Sequence, residues 1–163
     1  ASIAQQKTAE PNPVSSAVKK IMERQSKNLT AAAEEMPAEK YGFKPTPAQM
    51  SYGELMLHIA GSNNFLCAHI AGLPEPAESK LTENDAKEKL VHELKASFDY
   101  CEQALAAVDD SKLSNTVTIF SNRQVTRVYA MIILTDDWYD HYGAAAIYLR
   151  LNGLLPPTAQ PKK

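Results

Sequence analysis

The chain has 163 residues, a formal net charge of −2 and only 6 glycines. That length suits one domain with a sizeable core, and so small a charge supplies no field that would gather nucleic acid or an anionic membrane. No basic stripe interleaved with aromatics and no apolar run of bilayer length occurs, so neither nucleic acid nor membrane is an expected partner. Plentiful alanine, leucine, lysine and glutamate favour helix over sheet.

The chain opens ASIAQQKTAEPNP, a polar stretch starting on small residues, as in an exported protein after removal of its signal. The expected location is therefore periplasmic or secreted, with the cytoplasm as the alternative. Residues 1–12 read as a flexible arm. Asn12 and Pro13 then form a helix start, Asn as N-cap and Pro at the first helical position. Val18, Ile21, Met22, Leu29, Ala32 and Met36 follow at helical spacing, which predicts a first helix over 13–36.

Pro37, Gly42, Pro45 and Pro47 punctuate a loop. The second helix opens at Ser51 with a capping box: the Ser51 hydroxyl accepts from the Glu54 amide and the Glu54 carboxylate reaches back. Its stripe is Leu55, Ile59, Ser62, Leu66, Ile70 and Leu73, and Gly72 and Pro74 stop it near Ala71. Thr82-Glu83-Asn84-Asp85 reads as the start of a third helix with its seam at Leu90, Leu94, Phe98, Cys101, Leu105 and Val108. TVTIF, residues 116–120, has β propensity but no evident partner strand, so it reads as an extended connection. A fourth helix is predicted over 123–151, stopped by Asn152, Gly153 and the Pro156-Pro157 pair.

Four amphipathic helices without a convincing sheet predict an all-α four-helix bundle over 13–157, with a tail over 158–163. The long links between helices 1 and 2 and between 3 and 4 leave an up-down-up-down order open. Cys67 and Cys101 are too few and too far apart for a zinc finger or a CxxC pair, and each reads as a small buried hydrophobe rather than half of a disulfide.

The fourth helix carries Asp136, Asp137, Asp140 and His141 inside an apolar run, and buried charge is costly unless paired or bound to a metal. Asp137 and His141 are four apart, so they stack on one face, together with Ala130, Leu134, Ala144, Tyr148 and Leu151. That face points inward, while Asp136 and Asp140 turn toward solvent. Spacing alone allows two readings: an isolated ion pair, or two ligands of one metal. His58 on the second helix is the natural third donor, its other role being a hydrogen-bonded core histidine. His69 lies three turns further on and cannot share an ion with His58. It and His92 read as surface or boundary residues.

The segments SYGELMLHIA, DWYDHYGA and YLRLNGLLPP, in that order, resemble the DinB-like (YfiT-type) superfamily of four-helix-bundle metalloproteins. The resemblance spans about Ser51 to Pro157. It implies a divalent ion, Zn, Ni or Fe, held by His58, Asp137 and His141. The chain departs from the pattern at Asp137, where many members have His, and at Ala144, where many have Gln. The resemblance also implies a metal-dependent hydrolase or thiol transferase acting on a small molecule, and a homodimer. The alternatives are metal or small-molecule binding without turnover, or a metal that only staples a structural dimer. Glu54, one turn before His58, is the candidate base besides its capping role. Asp140 is the candidate partner that orients His141. Tyr52, Trp138, Tyr142 and Tyr148 either line a pocket or pack.

Overall fold

The structure, a computed structural model, describes residues 9–161. Residues 1–8 of the expected arm and 162–163 of the expected tail lie outside the described residues. Four long helices make the body: α1 (Pro13–Glu35), α2 (Tyr52–Ala71), α3 (Lys87–Ala106) and α4 (Arg127–Leu151), with a two-stranded hairpin, β1 (Thr116–Ile119) and β2 (Arg123–Thr126), between α3 and α4. No helix among the described residues is long and apolar enough to cross a membrane.

The helices are neighbours in the order α1, α3, α2, α4 around the bundle, so both long links join helices across a diagonal. Side-chain contacts fix their directions. Asn63 bonds Ser97 as Cys67 bonds Cys101, so α2 and α3 run parallel. His58 meets His141 while Asn63 meets Trp138, so α2 and α4 run antiparallel. Lys19 near the start of α1 reaches the Val108 carbonyl beyond α3, and Lys87 at the start of α3 reaches the Glu34 carbonyl, so these two are antiparallel. The order is thus up, down, down, up. The parallel α2–α3 step requires residues 72–86 to run back along the bundle as a strap. Tyr100 holds the strap's beginning through the Pro74 carbonyl at 2.8 Å. Near the strap's other end the backbone passes so close to α2 that a Cβ on Gly53 would lie 3.0 Å from the Glu83 carbonyl oxygen, which is why glycine stands there.

The amphipathic stripes read from the sequence form the core. Leu29, Met56, Ile59, Leu66, Ile70, Leu90, Leu94 and Leu134 are fully buried, whereas Leu73, just past the α2 stop, and Leu151, the last residue of α4 and expected on its inward face, are exposed. The capping box of α2 is present, with Ser51 Oγ accepting from Glu54 N at 3.1 Å and the Glu54 carboxylate accepting from Ser51 N at 2.6 Å. Gly72 ends α2 with φ 71°, the left-handed conformation that favours glycine. Two phenols close the far end of α1: the hydroxyls of Tyr41 and Tyr52 donate to the carbonyls of Ala33 and Ala32.

Three expectations need correction. First, Cys67 and Cys101 are buried as expected but form a disulfide, because the parallel register of α2 and α3 sets their Cα atoms 5.2 Å apart. Second, the segment 116–120 is not an unpaired connection. Its first four residues pair antiparallel with Arg123–Thr126, Thr116 opposite Thr126, around a turn in which Ser121 and Asn122 both have φ 57°. Val117 and Ile119 point into the core, and α4 begins at Arg127 instead of 123, after Thr126 as its N-cap. Third, α3 begins at Lys87 rather than at Thr82. Asp85 folds back onto the Thr82 amide at 3.0 Å and closes a separate turn before the helix.

The start of α1 is capped from a distance. Asp110 oxygens accept from the amides of Val14 at 2.9 Å and Ser15 at 2.8 Å, while Asn12 accepts from the Asp110 amide instead of capping its own helix. Partial burial pushes the Asp110 carboxyl up, but the Ser15 and Val14 amides more than reverse it, so its pKa lies below the ordinary value of 3.8. A carboxylate with a depressed folded pKa stabilises above its unfolded pKa, and that stabilisation is lost as pH falls through the folded value. Asp110→Ala is expected to melt below wild type at neutral pH, with the two melting temperatures converging as pH drops below about 3.8. A difference that stays constant through the acid range would mean that the charge of Asp110 contributes nothing.

Candidate metal centre

His58 lies on α2 next to the core position Ile59 but is itself exposed and makes no hydrogen bond among the described residues, so it is not a core histidine, while Asp137 and His141 stack on the inner flank of α4. The antiparallel pairing of these helices brings the His58 and His141 rings edge to face, with centroids 4.8 Å apart. His141 Nε2 lies 3.3 Å from Asp137 Oδ1, with side-chain exposures of 12% and 16%. Asp140, with an 86% exposed side chain, approaches the other ring nitrogen, Nδ1, at 3.6 Å. Asp136 is exposed. The division of the acidic cluster into an inward pair and a solvated margin follows from the helical period.

The inward pair is left chemically incomplete. The 3.3 Å approach lacks hydrogen-bond alignment, and both His141 Nε2 and Asp137 Oδ2 are buried with no hydrogen-bond partner. Two buried polar atoms without partners on successive turns of one helix are a costly arrangement without a further occupant. A nitrogen and a carboxylate oxygen, with a second imidazole alongside, suit a divalent ion such as Zn, Ni or Fe. As they stand, no three His, Cys, Asp or Glu side chains among the described residues are gathered into a cage for an ion.

Burial lowers the His58 pKa below its ordinary value, aided by the charge of His141 and opposed by Asp137. Burial acts in the same direction on His141, but the Asp137 carboxylate at its Nε2 and the charges of Asp137 and Asp140 overcome it, leaving the pKa raised. Glu54 is otherwise engaged: its Oε2 takes the Ser51 amide and the Lys44 ammonium at 3.0 Å. Among the described residues, no hydrogen bond or ion pair joins it to His58, Asp137 or His141. His69 pairs with Glu75 at 3.0 Å and stacks on Phe65, and His92 is exposed, so both stand at the boundary or surface.

The aromatic residues pack. Trp138 and Tyr52 are fully buried, the Tyr148 hydroxyl donates to the Met50 carbonyl, and Tyr142 bonds Thr158. A polar junction that the helical stripes do not announce lies beside the site. The Trp138 indole donates to Asn63 Oδ1 at 2.7 Å, and Asn63 Nδ2 donates to Ser97 at 2.9 Å, all three side chains buried. Asn63 thereby sets the rotation of α4 at the residue next to Asp137. Its only sequence signal is an amide within an apolar helix stripe.

The sequence profile of the DinB superfamily matches residues 21–143. The chain belongs to the DinB superfamily. Among solved structures, a DinB-like protein from Bacillus subtilis is 21% identical, with a TM-score of 0.71 over 89% of this chain and 99% of that one. One from Bacillus cereus is 14% identical, with a TM-score of 0.72 over 87% and 95%. A mycothiol-dependent maleylpyruvate isomerase is 13% identical, with a TM-score of 0.64 over 79% of this chain and 59% of that one. These likenesses show the fold, an all-α DinB-like bundle. No curated protein matches the chain in sequence.

Proposed function

We propose that His58, Asp137 and His141 hold a divalent metal ion and that the chain uses it in hydrolysis of a small-molecule substrate. The observation that carries this reading is the pair of buried, unpartnered donors, Asp137 Oδ2 and His141 Nε2. When bound, such an ion supplies Lewis acidity that makes water or a thiol nucleophilic near neutral pH. The chain's own residues supply the rest. Asp137 and His141 present donors from one rigid helix, His58 presents a ring from the neighbouring helix, and Asp140 sits where it can orient His141 through Nδ1. Glu54 is reserved for the α2 cap.

Thiol transfer is the second reading, supported by the fold shared with a mycothiol-dependent isomerase. The buried Cys67–Cys101 disulfide favours hydrolysis, because disulfides persist in oxidising compartments, away from intracellular thiol pools. It also supports the exported location.

Elemental analysis of tag-free protein tests the site. Wild type is expected to carry about one equivalent of Zn, Ni or Fe per chain, and His58→Ala and Asp137→Ala are each expected to lose it while keeping a helical circular dichroism spectrum. Wild type that stays metal-free after reconstitution would sink the three-ligand reading and leave a buried ion pair.

A further inference from the structure

Three rings form a stack beside the candidate centre. His69 lies on Phe65 with centroids 4.2 Å apart, and Phe120, from the hairpin turn, lies on Phe65 at 4.8 Å with the planes 16° from parallel. Two rings stacked on a third must take its opposite faces. His69 stands one turn beyond Phe65 on α2, so it takes the face toward the end of that helix, where Glu75 holds it. Phe120 therefore takes the face toward Gly61 and His58. Among the described residues no ring covers the outer face of Phe120, which is 41% exposed.

Two features keep that face open and turned toward the centre. Gly61 stands exposed in the middle of α2, where glycine weakens a helix. A Cβ there would meet nothing within 4 Å, so packing inside the bundle does not require the small residue. Its effect is to leave the helix surface bare between His58 and Phe120. The second feature is the turn after Phe120. Ser121 and Asn122 both hold φ 57°, a left-handed conformation that is costly for residues other than glycine. That strained turn sets Phe120 down on α2.

Distance limits what fits there. Phe65 is seven residues from His58, roughly 10 Å along the helix. Phe120 stands one ring spacing nearer, 4.8 Å, which leaves roughly 6 Å to the level of His58. Aromatic rings attract one another at centroid separations of about 4.5–7 Å, so one ring laid on Phe120 reaches that level. We infer, resting on the metal assignment above, that the outer face of Phe120 is the subsite for an aromatic ring of the substrate. The hydrolysable group is then attached to that ring directly or through one carbon, so that it falls beside His58 and His141. A substrate with a long chain between ring and reacting group would overshoot the stack.

Isothermal titration calorimetry of the zinc-reconstituted full chain tests it, with circular dichroism to confirm that each variant is folded. The probes are acetohydroxamate and phenylacetohydroxamate, which share a zinc-chelating head and differ by one ring. Phenylacetohydroxamate is expected to bind wild type about tenfold tighter. Phe120→Ala is expected to remove that advantage and leave the affinity for acetohydroxamate unchanged. Gly61→Leu strengthens the helix and fills the gap, so it is expected to do the same with Phe120 intact. Equal affinity of the two probes for wild type overturns the subsite while the metal assignment stands. An advantage that survives either substitution places the ring elsewhere and overturns it as well. Binding of neither probe sinks the metal assignment, and the subsite falls with it.

Discussion

Replacing Cys67 and Cys101 together by alanine is expected to lower the stability of the folded chain by about 3.8 kcal/mol, the loop-entropy value for a bridge spanning 34 residues. For a domain of this size that corresponds to a fall in melting temperature of roughly 10 °C. Both cysteines are fully buried between α2 and α3, so dithiothreitol alone is expected to leave wild type unchanged. Denaturant and reductant together are expected to expose two thiols. Differential scanning calorimetry of wild type and the double variant, with thiol titration in each condition, gives the answer. Equal melting temperatures, or two free thiols in the unreduced protein, would show that the bridge does not form or does not matter.

Asn63→Ala is expected to cost about 3 kcal/mol, because it strips the acceptor from a buried indole and opens a small cavity at the meeting point of α2, α3 and α4. Ser97 suffers less, since its hydroxyl keeps the Leu94 carbonyl at 2.7 Å. Trp138→Phe alone leaves Asn63 Oδ1 unsatisfied, whereas Trp138→Phe with Asn63→Leu removes both partners of the bond. The combined variant is therefore expected to be more stable than the sum of single effects predicts. Urea unfolding of wild type, Asn63→Leu, Trp138→Phe and the combined variant measures the coupling, with Asn63→Ala measured alongside. Trp138 is the chain's single tryptophan, so its emission is also expected to shift to the red in Asn63→Ala. Strict additivity, or unchanged emission, would mean that the bond holds nothing in place.

The parts of the fold that were legible in the sequence are those written locally. The stripes of α1 and α2 and the seam of α3 repeat at the helical period, and Ser51 with Glu54 announces the start of α2 through bonds made within four residues. The stacking of Asp137 on His141 is equally local, and helix geometry alone sets their approach. What escaped depends on partners distant in sequence or on competing local choices. The strand over 116–119 needed Arg123–Thr126 opposite it, and those residues extend the helical pattern of α4 just as well. Asp85 satisfies Thr82 in a turn as readily as a helix start would. The disulfide required knowledge that α2 and α3 run parallel, and nothing in either helix states its direction. The same holds for Asn63, whose partners lie on two other helices. His58 was legible as a donor from its place beside the α2 stripe. That its ring lies 4.8 Å from His141 is a product of the antiparallel register of α2 and α4.

The strap over 72–86 gains a further property from the bridge beneath it. Its two ends belong to the helices that Cys67 and Cys101 join, so the chain from 67 to 101 is a closed covalent ring. Both anchors of the strap, at Pro74 and Glu83, fall inside that ring. Displacement of the strap leaves the two helices that carry its ends joined to one another at Cys67 and Cys101. A single break of the backbone within the strap turns the ring into two polypeptides that remain one molecule until the sulfurs are reduced. One of those pieces carries His58 and the other carries Asp137 and His141, so the integrity of the candidate centre is insured by sulfur chemistry deep in the bundle.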